Sequence, residues 1–398
     1  MDRRTDYLVV GGGMAADAAA RGIRDVDPDG TILIVGADED PPVRRPALSK
    51  DLWTDDDTTP TDVLLGTADA TGATLLTGTE VTGLDPDAHQ ATTASGTIAY
   101  RVALLATGGR PRVLDDVPPG DRVVYFRTLA DYRRLRRLAQ RGSHVVVVGG
   151  GYIGSEVTAA LAQNGVDVTM VFPEDAPGGG RFVPEIADQV SRRYADAGVD
   201  LRQGRTVTST MSDDDEVTVT LDDGTTLTAT AVVVGLGVTP DTSLAEAAGI
   251  ALCDDGGVLV DEHLRTSAPD VLAAGDVASF VDPRLGRRRV EHEDNATTMG
   301  EAAGRVMAGE DVAYQHTPFF YSDLFDLGYE AVGRLDPTLE TVVDHPTDDG
   351  TVVYHLDDGR VVGVLLWNVW DSVDAARDLV ARPDPPADLT GLIPKGDA

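Results

Sequence analysis

Cysteine, lysine and long apolar runs are all scarce in this chain of 398 residues. Its one cysteine, Cys253, excludes an internal disulfide, a Cys-x-x-Cys redox pair and a metal site built from several cysteines. No apolar run approaches the roughly 20 residues that a transmembrane helix needs, and the first residues lack the apolar stretch of a signal peptide. These absences predict a soluble protein of the cytoplasm with no membrane partner.

Positive charge is scarce as well. The chain has 67 acidic residues against 33 basic ones, a formal net charge of −34, and its only lysines are Lys50 and Lys395. Such an acidic surface argues against nucleic acids and anionic membranes as partners, because both bind cationic surfaces. Either the surface is adapted to concentrated salt, where carboxylates keep a protein hydrated, or it reflects a genome that prefers arginine. We favour salt adaptation, since a preference for arginine over lysine does not account for the excess of acid.

The order of apolar and glycine-rich segments predicts the fold class. At roughly 150 residues per domain the length allows two or three domains. An apolar strand, a glycine cluster, an Ala-rich helix and a β-branched strand follow one another at the N-terminus and again after His144, so the chain contains two βαβ units. Thr74–Tyr100 alternates like a β-meander, and past Tyr314 aromatic residues and strand-like runs predict a third domain. We expect an α/β protein with two Rossmann-like three-layer dinucleotide-binding domains and a C-terminal α+β domain.

The first glycine cluster has the pattern Gly11-x-Gly13-x-x-Ala16 between a strand and a helix, which is the context of a dinucleotide fingerprint. The first glycine permits the turn, the second lets the backbone approach a pyrophosphate, and a small third residue packs the helix on the strand. The helix N-terminus favours the diphosphate through its N–H groups and its dipole. Asp38, at the end of the next strand, is placed to bind a ribose. An ordinary Gly-rich turn is the alternative.

The second cluster, Gly149-x-Gly151-x-x-Gly154, is complete, and Glu174 follows about twenty residues further on. An acid at this place binds a ribose 2′-hydroxyl and repels a 2′-phosphate, so the sequence predicts a preference for NADH over NADPH. Arg181 could reach a 2′-phosphate and oppose that preference.

Two fingerprints imply two dinucleotides, one held permanently and one exchanged, as in a flavoprotein reductase. Asp276, after a third strand, could bind a polyol through its carboxylate, although a helix-capping Asp is the commoner explanation of Gly-Asp on its own.

Eight segments spread over nearly the whole chain carry a family resemblance: VVGGGMAADAAARGI, RRPALSKDLW, ALLATGGRPR, VVVVGGGYIGSEV, MVFPED, AAGDVASF, LGRRRVEHEDNA and FFYSDLFDLGYEAVG. The chain resembles the FAD/NAD(P)H reductases with two dinucleotide domains, most closely the apoptosis-inducing factor branch related to bacterial ferredoxin and rubredoxin reductases. The resemblance implies hydride transfer from NADH to FAD, then electron transfer to a ferredoxin-type iron–sulfur protein or otherwise to a quinone or oxygen. An alternative of another class is a redox-sensing flavoprotein in which NADH changes conformation or dimerisation.

The resemblance also implies roles for matching positions. Lys50 and Glu156 would pair beside the flavin as catalytic residues, and a lysine kept in so arginine-rich a chain favours a role beyond a surface ion pair. The FAD would be bound by Gly11, Gly13, Ala16, Asp38, Arg45, Lys50, Thr107, Gly108 and Asp276. The NADH would be bound by Gly149, Gly151, Gly154 and Glu174. Gly237, His292, Tyr321 and Glu330 resemble positions that line the nicotinamide and flavin faces.

The implied organisation interrupts one domain with another. We expect the FAD-binding domain at 1–118 and 241–313, the NAD-binding domain at 119–240 and the C-terminal domain at 314–398, in a monomer or a homodimer. Residues 36–50 contain no redox cysteine, so disulfide reduction is not expected, and Cys253 is interpreted as an inert, half-buried thiol. The seven histidines do not cluster, so no metal is expected.

Residues 121–141 oppose the overall acidity, with seven arginines and two aspartates. The pattern predicts one helix that carries Arg133, Arg134, Arg136, Arg137 and Arg141. A solvated face paired with aspartates of neighbouring elements is the plainer interpretation. The sharper one is a docking surface for an acidic electron acceptor such as a ferredoxin.

Overall fold

The computed structural model describes residues 3–384, 386 and 388–393, and these divide into two compact units. The first unit consists of the chain up to Arg45, Pro60–Arg110 and Thr239–Pro318. The second consists of Pro46–Thr59, Pro111–Val238 and the chain from Phe319 onward. Division into three domains at the bounds expected from the sequence stays a prediction.

The helices and strands follow one another in a mixed α/β order. The helices are α1 (Met14–Val26), α2 (Asp51–Thr54), α3 (Thr67–Thr71), α4 (Leu129–Leu138), α5 (Tyr152–Gln163), α6 (Pro184–Asp196), α7 (Ser243–Ala247), α8 (Glu293–Met307) and α9 (Val373–Ala381). The strands are β1 (Arg3–Val10), β2 (Ile32–Val35), β3 (Thr74–Leu76), β4 (Val81–Asp85), β5 (Gln90–Thr93), β6 (Gly96–Leu105), β7 (Gly109–Pro111), β8 (Val123–Tyr125), β9 (His144–Val148), β10 (Asp167–Phe172), β11 (Asp200–Gln203), β12 (Val207–Ser212), β13 (Val217–Leu221), β14 (Thr226–Ala229), β15 (Ala231–Val234), β16 (Val238–Pro240), β17 (Val258–Leu259), β18 (Val271–Ala273), β19 (Ala278–Asp282), β20 (Gly286–Arg288), β21 (Phe319–Leu324), β22 (Leu327–Gly333), β23 (Glu340–Asp344), β24 (Thr351–Asp357) and β25 (Arg360–Trp367).

The main sheet of the first unit has the strand order β3-β2-β1-β6-β5-β4, and β18 also pairs with β6. Strand β1 pairs in parallel with both β2 and β6. Its residues Tyr7, Leu8, Val9 and Val10 are at most 5% exposed, as expected for a parallel strand covered on both faces. The predicted meander is wrong in its first strand, because β3 pairs in parallel with β2, whereas β4, β5 and β6 are antiparallel.

Helix α1 follows the first glycine turn and packs closely on α8. A Cβ added at Gly300 would lie 2.5 Å from the carbonyl oxygen of Ala15, and one at Gly304 would lie 2.1 Å from that of Ala19. Only glycine lets two helix backbones come this close. The close packing fixes the direction in which the start of α1 points.

The second unit contains a parallel sheet of order β11-β10-β9-β15-β8, with α5 connecting β9 to β10. The order β21-β22-β25-β24-β23 forms a separate antiparallel sheet, on which α9 packs. Two sheets with a strand–glycine turn–helix unit and a C-terminal α+β part confirm the predicted fold class.

The arginine-rich helix is shorter than predicted. Helix α4 ends at Leu138, so Arg141 lies outside it. The chain turns at Gly142, which has a φ of +77° and donates its N–H to the carbonyl of Gly165, and this leads directly into β9. Over the described part of the chain, the helices are too short or too polar to cross a bilayer.

Candidate functional site

The first glycine turn is built so that its backbone is tight on one side and open on the other. Gly11 has a φ of +117°, and a Cβ there would lie 2.1 Å from the carbonyl oxygen of Ala106, so only glycine fits. At Gly13, which precedes α1, a Cβ would approach nothing nearer than the Arg45 guanidinium, at 3.8 Å. Gly13 has no side chain that could cap α1, so the backbone N–H groups at the start of the helix can donate to another acceptor. Ala16 is fully buried, as helix packing on the strand requires.

Two charged side chains lie beside this turn. Arg45 approaches Gly13, and its Nη2 lies 3.6 Å from Oδ2 of Asp38, whose side chain is 43% exposed. The structure therefore brings Gly13, Asp38 and Arg45 together. A guanidinium and a helix N-terminus at one point favour a bound anion, and the accessible Asp38 carboxylate can accept from a hydroxyl.

Asp276 lies near the same helix start. It belongs to a short 3-10 turn, Gly275–Val277, and a Cβ at Gly275 would lie 3.0 Å from Cβ of Ala15 in α1. Nη1 of Arg289 donates to the carbonyl of Asp276. Asp276 is thus fixed by its backbone beside the first glycine turn.

Three further predicted site residues, Thr107, Gly108 and His292, lie in the first unit. Thr107 donates its hydroxyl to the carbonyl of Asp241 at 2.7 Å, and Gly108, with a φ of +67°, accepts from the N–H of Asp241. His292 stands at the start of α8 without a side-chain cap bond. Their roles toward a cofactor stay predictions.

The second glycine turn repeats the construction of the first. Gly149 has a φ of +109°, and its Cβ would lie 2.5 Å from the carbonyl oxygen of Gly235. A Cβ on Gly154 would lie 2.0 Å from the carbonyl oxygen of Gly149, so α5 packs directly on the turn. A Cβ on Gly151 would meet no described atom within 4 Å outside its helix and chain neighbours. Gly151 therefore leaves space beside the turn where a side chain would otherwise lie.

Glu174 follows β10 and carries a buried carboxylate oxygen, Oε2, that has no hydrogen-bond partner among the described residues. A buried carboxylate oxygen without a donor is costly, because it loses hydration and gains nothing in return. A ribose hydroxyl would supply the missing donor.

A loop of three glycines lies beside the second turn. Gly178, Gly179 and Gly180 all have positive φ, at 107°, 64° and 71°, and the N–H of Gly178 donates to the carbonyl of Gly150 at 2.8 Å. Arg181 ends the loop, with its guanidinium 4.1 Å from the ring centroid of Tyr152 and its Nη1 donating to the carbonyl of Gly178.

Lys50 and Glu156 form a buried ion pair in the second unit. Nζ of Lys50 lies 2.5 Å from Oε1 of Glu156, and the residues are 9% and 6% exposed. The pairing that the resemblance implies is present, while its catalytic role stays a prediction. Sequence reasoning missed Ser49 and Ser322, whose hydroxyls also donate to Glu156. Their positions directly beside Lys50 and Tyr321 are the only sequence features that point to them.

Of the remaining predicted positions of the second unit, Tyr321 and Glu330 lie opposite each other on β21 and β22, and Gly237 directly precedes β16. The Tyr321 ring centroid is 5.2 Å from Nζ of Lys50. Burial, together with the nearby Asp371, raises the pKa of Glu330, although the charge of Arg377 opposes the shift. Oε2 of Glu330 is buried without a described partner. Gly237, with a φ of +83°, has open space where a Cβ would be.

Cysteine and metal chemistry find no support in the described ranges. Cys253 is half-buried, as predicted, and lies in a turn in which its N–H donates to the carbonyl of Gly257. In residues 3–384, 386 and 388–393, no three His, Cys, Asp or Glu side chains are grouped so that they could hold a metal ion.

Two family models match the chain. Residues 5–300 match that of pyridine nucleotide-disulphide oxidoreductase, and residues 303–347 match the mitochondrion-associated C-terminal part of apoptosis-inducing factor. The chain is 33% identical to the mitochondrial apoptosis-inducing factor 1 of Dictyostelium discoideum, over 97% of this chain and 80% of the relative. It is 34% identical, over 95% of both chains, to the ferredoxin–NAD(+) reductase component of the anthranilate 1,2-dioxygenase system of Burkholderia cepacia.

A solved structure shows the same architecture. Putidaredoxin reductase in its covalent complex with putidaredoxin superposes with a TM-score of 0.87 at 29% identity, over 95% of this chain and 93% of that chain. The predicted resemblance is thereby confirmed. The chain belongs to the pyridine nucleotide-disulphide oxidoreductase family and is an FAD-dependent NAD(P)H oxidoreductase.

Proposed function

We propose that this enzyme takes a hydride from NADH and delivers electrons singly to a small acidic iron–sulfur protein of the ferredoxin type. Two relatives support the acceptor, since one is a ferredoxin–NAD(+) reductase component and another is a reductase solved in complex with putidaredoxin. The single cysteine also supports it, because Cys253 cannot form the redox disulfide that two-electron disulfide reductases use.

The glycine turns fit the two dinucleotides. At both Gly13 and Gly151 the space that a side chain would fill is open, while Gly11 and Gly149 are too crowded for any side chain. We assign the FAD pyrophosphate to the first turn and its ribose to Asp38, and the NADH pyrophosphate to the second turn. Bound FAD supplies the chemistry of accepting a hydride and releasing electrons. The protein supplies binding, orientation and charge.

The observation that carries the NADH side of the proposal is the buried, unpaired Oε2 of Glu174. A ribose with a free 2′-hydroxyl would donate to this oxygen, whereas a 2′-phosphate would bring negative charge against the carboxylate. Arg181 is held by Tyr152 and by the carbonyl of Gly178, so it already has partners. We therefore propose that NADH is the better substrate.

Lys50 supplies a positive charge at a fixed point. Burial and the contact with Glu156 restrict a side chain that is otherwise long and mobile. In our proposal its ammonium would stabilise the negative charge of the reduced flavin, and Glu156 would hold the ammonium in place. Lys50→Ala should then slow flavin reduction by NADH.

Helix α4 supports an acidic protein acceptor. Arg133 and Arg137 are exposed one turn apart, while Arg134 donates to the carbonyl of Gly120. Arg136 lies over the ring of Trp53, three residues after Lys50, and donates to Asn164. The described contacts of Arg134 and Arg136 are thus with a carbonyl, an amide and a ring, none of which neutralises their charge. An acidic carrier would meet a basic face on the unit that bears Lys50.

The test combines a visible spectrum with rapid mixing. Purified enzyme should show oxidised flavin bands, lose them rapidly with NADH, and pass electrons to a ferredoxin faster than to a quinone or oxygen. Slow reduction, a stable reduced complex and NADH-dependent dimerisation would instead favour a redox sensor. A protein without flavin bands would contradict the proposal altogether.

A further inference from the structure

Three donors from two separate stretches of the chain hold the Glu156 carboxylate. The hydroxyl of Ser49 donates to Oε2 at 2.6 Å, and that of Ser322 donates to Oε1 at 2.6 Å. The Lys50 ammonium donates to the same Oε1 at 2.5 Å. Ser49 and Ser322 are only 4% and 1% exposed. An ionised carboxylate can accept all three bonds, so both oxygens are fixed in position.

Asp323 places a second carboxylate near the ammonium, on the solvent side. Its Oδ2 lies 3.6 Å from Nζ of Lys50, and its side chain is 50% exposed. Together with Tyr321 and Ser322, it forms a run of three consecutive residues of β21 that surround the buried pair. One strand therefore contributes a ring, a hydroxyl and a carboxylate to the surroundings of one lysine.

Contacts at the tip of the β21–β22 hairpin keep this strand in place. Phe325, with a φ of +64°, turns the chain, and the guanidinium of Arg193 in α6 lies 4.2 Å from its ring centroid. Arg193 also pairs with Asp326. The next residue of α6, Tyr194, donates its hydroxyl to the carbonyl of Ser155, directly before Glu156. Helix α6 thus braces both the hairpin and the helix that carries Glu156.

We propose that Ser49, Ser322 and Asp323 are positioning residues for the Lys50 ammonium. The two serines fix the carboxylate that holds it, and Asp323 offsets part of its charge. The inference rests on the proposed role of Lys50 toward reduced flavin. Since a buried ion pair depends on its geometry and on the bonds that satisfy its remaining oxygens, loss of one serine should displace the ammonium. Loss of Asp323 should leave more net positive charge beside it.

The first test compares Ser322→Ala with Ser322→Thr in the FAD-loaded enzyme. Ser322→Ala should lower the limiting rate of flavin reduction by about fivefold or more, the effect of one lost hydrogen bond, and lower the flavin midpoint potential. The NADH concentration for half-saturation should stay within about twofold, because the nucleotide contacts are unchanged. Ser322→Thr should restore rate and potential. Ser191→Ala is the matched control, since that hydroxyl donates within its own helix, to the carbonyl of Ala187.

The second test changes charge without removing a buried group. Asp323→Asn should raise the flavin midpoint potential, whereas Asp348→Asn, at an exposed position in the loop between β23 and β24, should leave it unchanged. If Lys50→Ala slows reduction but neither Ser322→Ala nor Asp323→Asn alters rate or potential, the positioning role is wrong and the proposed function stands. If Lys50→Ala does not slow flavin reduction, the proposed role of Lys50 is wrong, and the positioning role that rests on it is wrong as well. Should Ser322→Ala fail to fold, Asp323→Asn still distinguishes these outcomes, because Asp323 is half-exposed and its substitution should not prevent folding.

Discussion

Arg181 lies over the ring of Tyr152, the first residue of α5, and its guanidinium carbon is 4.1 Å from the ring centroid. The arginine that could have recognised a 2′-phosphate is therefore held at the start of the helix by a cation–π contact and by the carbonyl of Gly178. Glu174, by contrast, has a buried oxygen without a hydrogen-bond donor among the residues that the structure describes. We therefore expect the acid, rather than the arginine, to select the nucleotide.

Glu174→Ala is expected to reduce nucleotide selectivity. A hydrogen bond to a charged group contributes about 1.5–3 kcal/mol, so kcat/KM for NADH should fall at least about tenfold, while that for NADPH should fall less or rise. Steady-state kinetics with both nucleotides measure the effect. Asp175→Ala removes the neighbouring exposed carboxylate and should leave the ratio unchanged. A selective loss of NADPH activity in Arg181→Ala would contradict this assignment, because it would place that arginine on the 2′-phosphate.

Two alanine substitutions in the second glycine turn should separate folding from nucleotide binding. Gly154→Ala places a Cβ 2.0 Å from the carbonyl oxygen of Gly149, so the backbone must move and the melting temperature should fall by the equivalent of about 1–3 kcal/mol or more. Gly151→Ala meets no such obstacle, so the fold should persist while KM for NADH rises, because the methyl group occupies the approach to the pyrophosphate. Thermal unfolding and kinetics of both variants check the contrast. Normal NADH binding in Gly151→Ala would show that the dinucleotide lies elsewhere.

The glycine turns show how far the sequence alone could go. The positions of Gly11, Gly13, Gly149, Gly151 and Gly154 follow from spacing, because a strand, a tight turn and a helix impose local conditions that only certain residues meet. The fold class follows in the same way, since each apolar run or glycine cluster reports on its own segment.

Ser322 and Asp323 show where sequence reasoning ends. Their contacts join residues more than a hundred positions apart, and a serine or aspartate on a strand carries no sign of its distant partner. Arg141 shows that a prediction from local sequence can also be wrong. The run of arginines extends past Leu138, but the helix ends there and the chain turns at Gly142. Pairings made by tertiary structure, and the end of this helix, therefore needed the structure, whereas the two glycine turns of the fingerprints did not.

His355 should make the second unit less stable as the pH falls. The residue is fully buried, and burial lowers its pKa below the usual 6.5, although the carbonyl and the charge of Asp336 oppose the shift. The unfolded chain therefore binds this proton more readily than the folded one. The stabilisation is complete above pH 6.5 and is lost as the pH falls toward the folded pKa, by up to about 1.4 kcal/mol per pH unit.

Denaturant unfolding at several pH values between 5 and 8 measures this slope. His355→Asn cannot take up the proton. Its free energy of unfolding should therefore depend less steeply on pH than that of the unmodified chain, whatever its absolute stability. His345→Gln is the matched control, because that side chain is 58% exposed. Equal slopes for the unmodified chain and His355→Asn would assign the pH dependence to other groups.

Salt should stabilise the protein well beyond simple screening. With a formal net charge of −34, repulsion between carboxylates falls as ions are added, and at 1 M the Debye length is already about 3 Å. Salt adaptation predicts that the melting temperature continues to rise from 1 to 3 M KCl, whereas screening alone predicts a plateau. Sucrose at matched osmolality controls for general exclusion from the surface. A melting temperature that stays flat from low salt upward would favour the genomic explanation of the arginine excess.

Reversing the charge of α4 should impair the protein acceptor but not the flavin. Arg133→Glu combined with Arg137→Glu changes two exposed side chains one helical turn apart, so turnover with an acidic ferredoxin should fall at least about tenfold at low salt, mainly through slower association. The difference should shrink above roughly 0.2 M salt, where charges on the two proteins are screened. Reduction of a small neutral dye should be unaffected. Arg112→Glu combined with Arg202→Glu makes the same change in net charge at other exposed positions and should leave ferredoxin turnover near normal. Equal losses in the two double variants would mean that net charge alone, rather than this helix, governs the encounter.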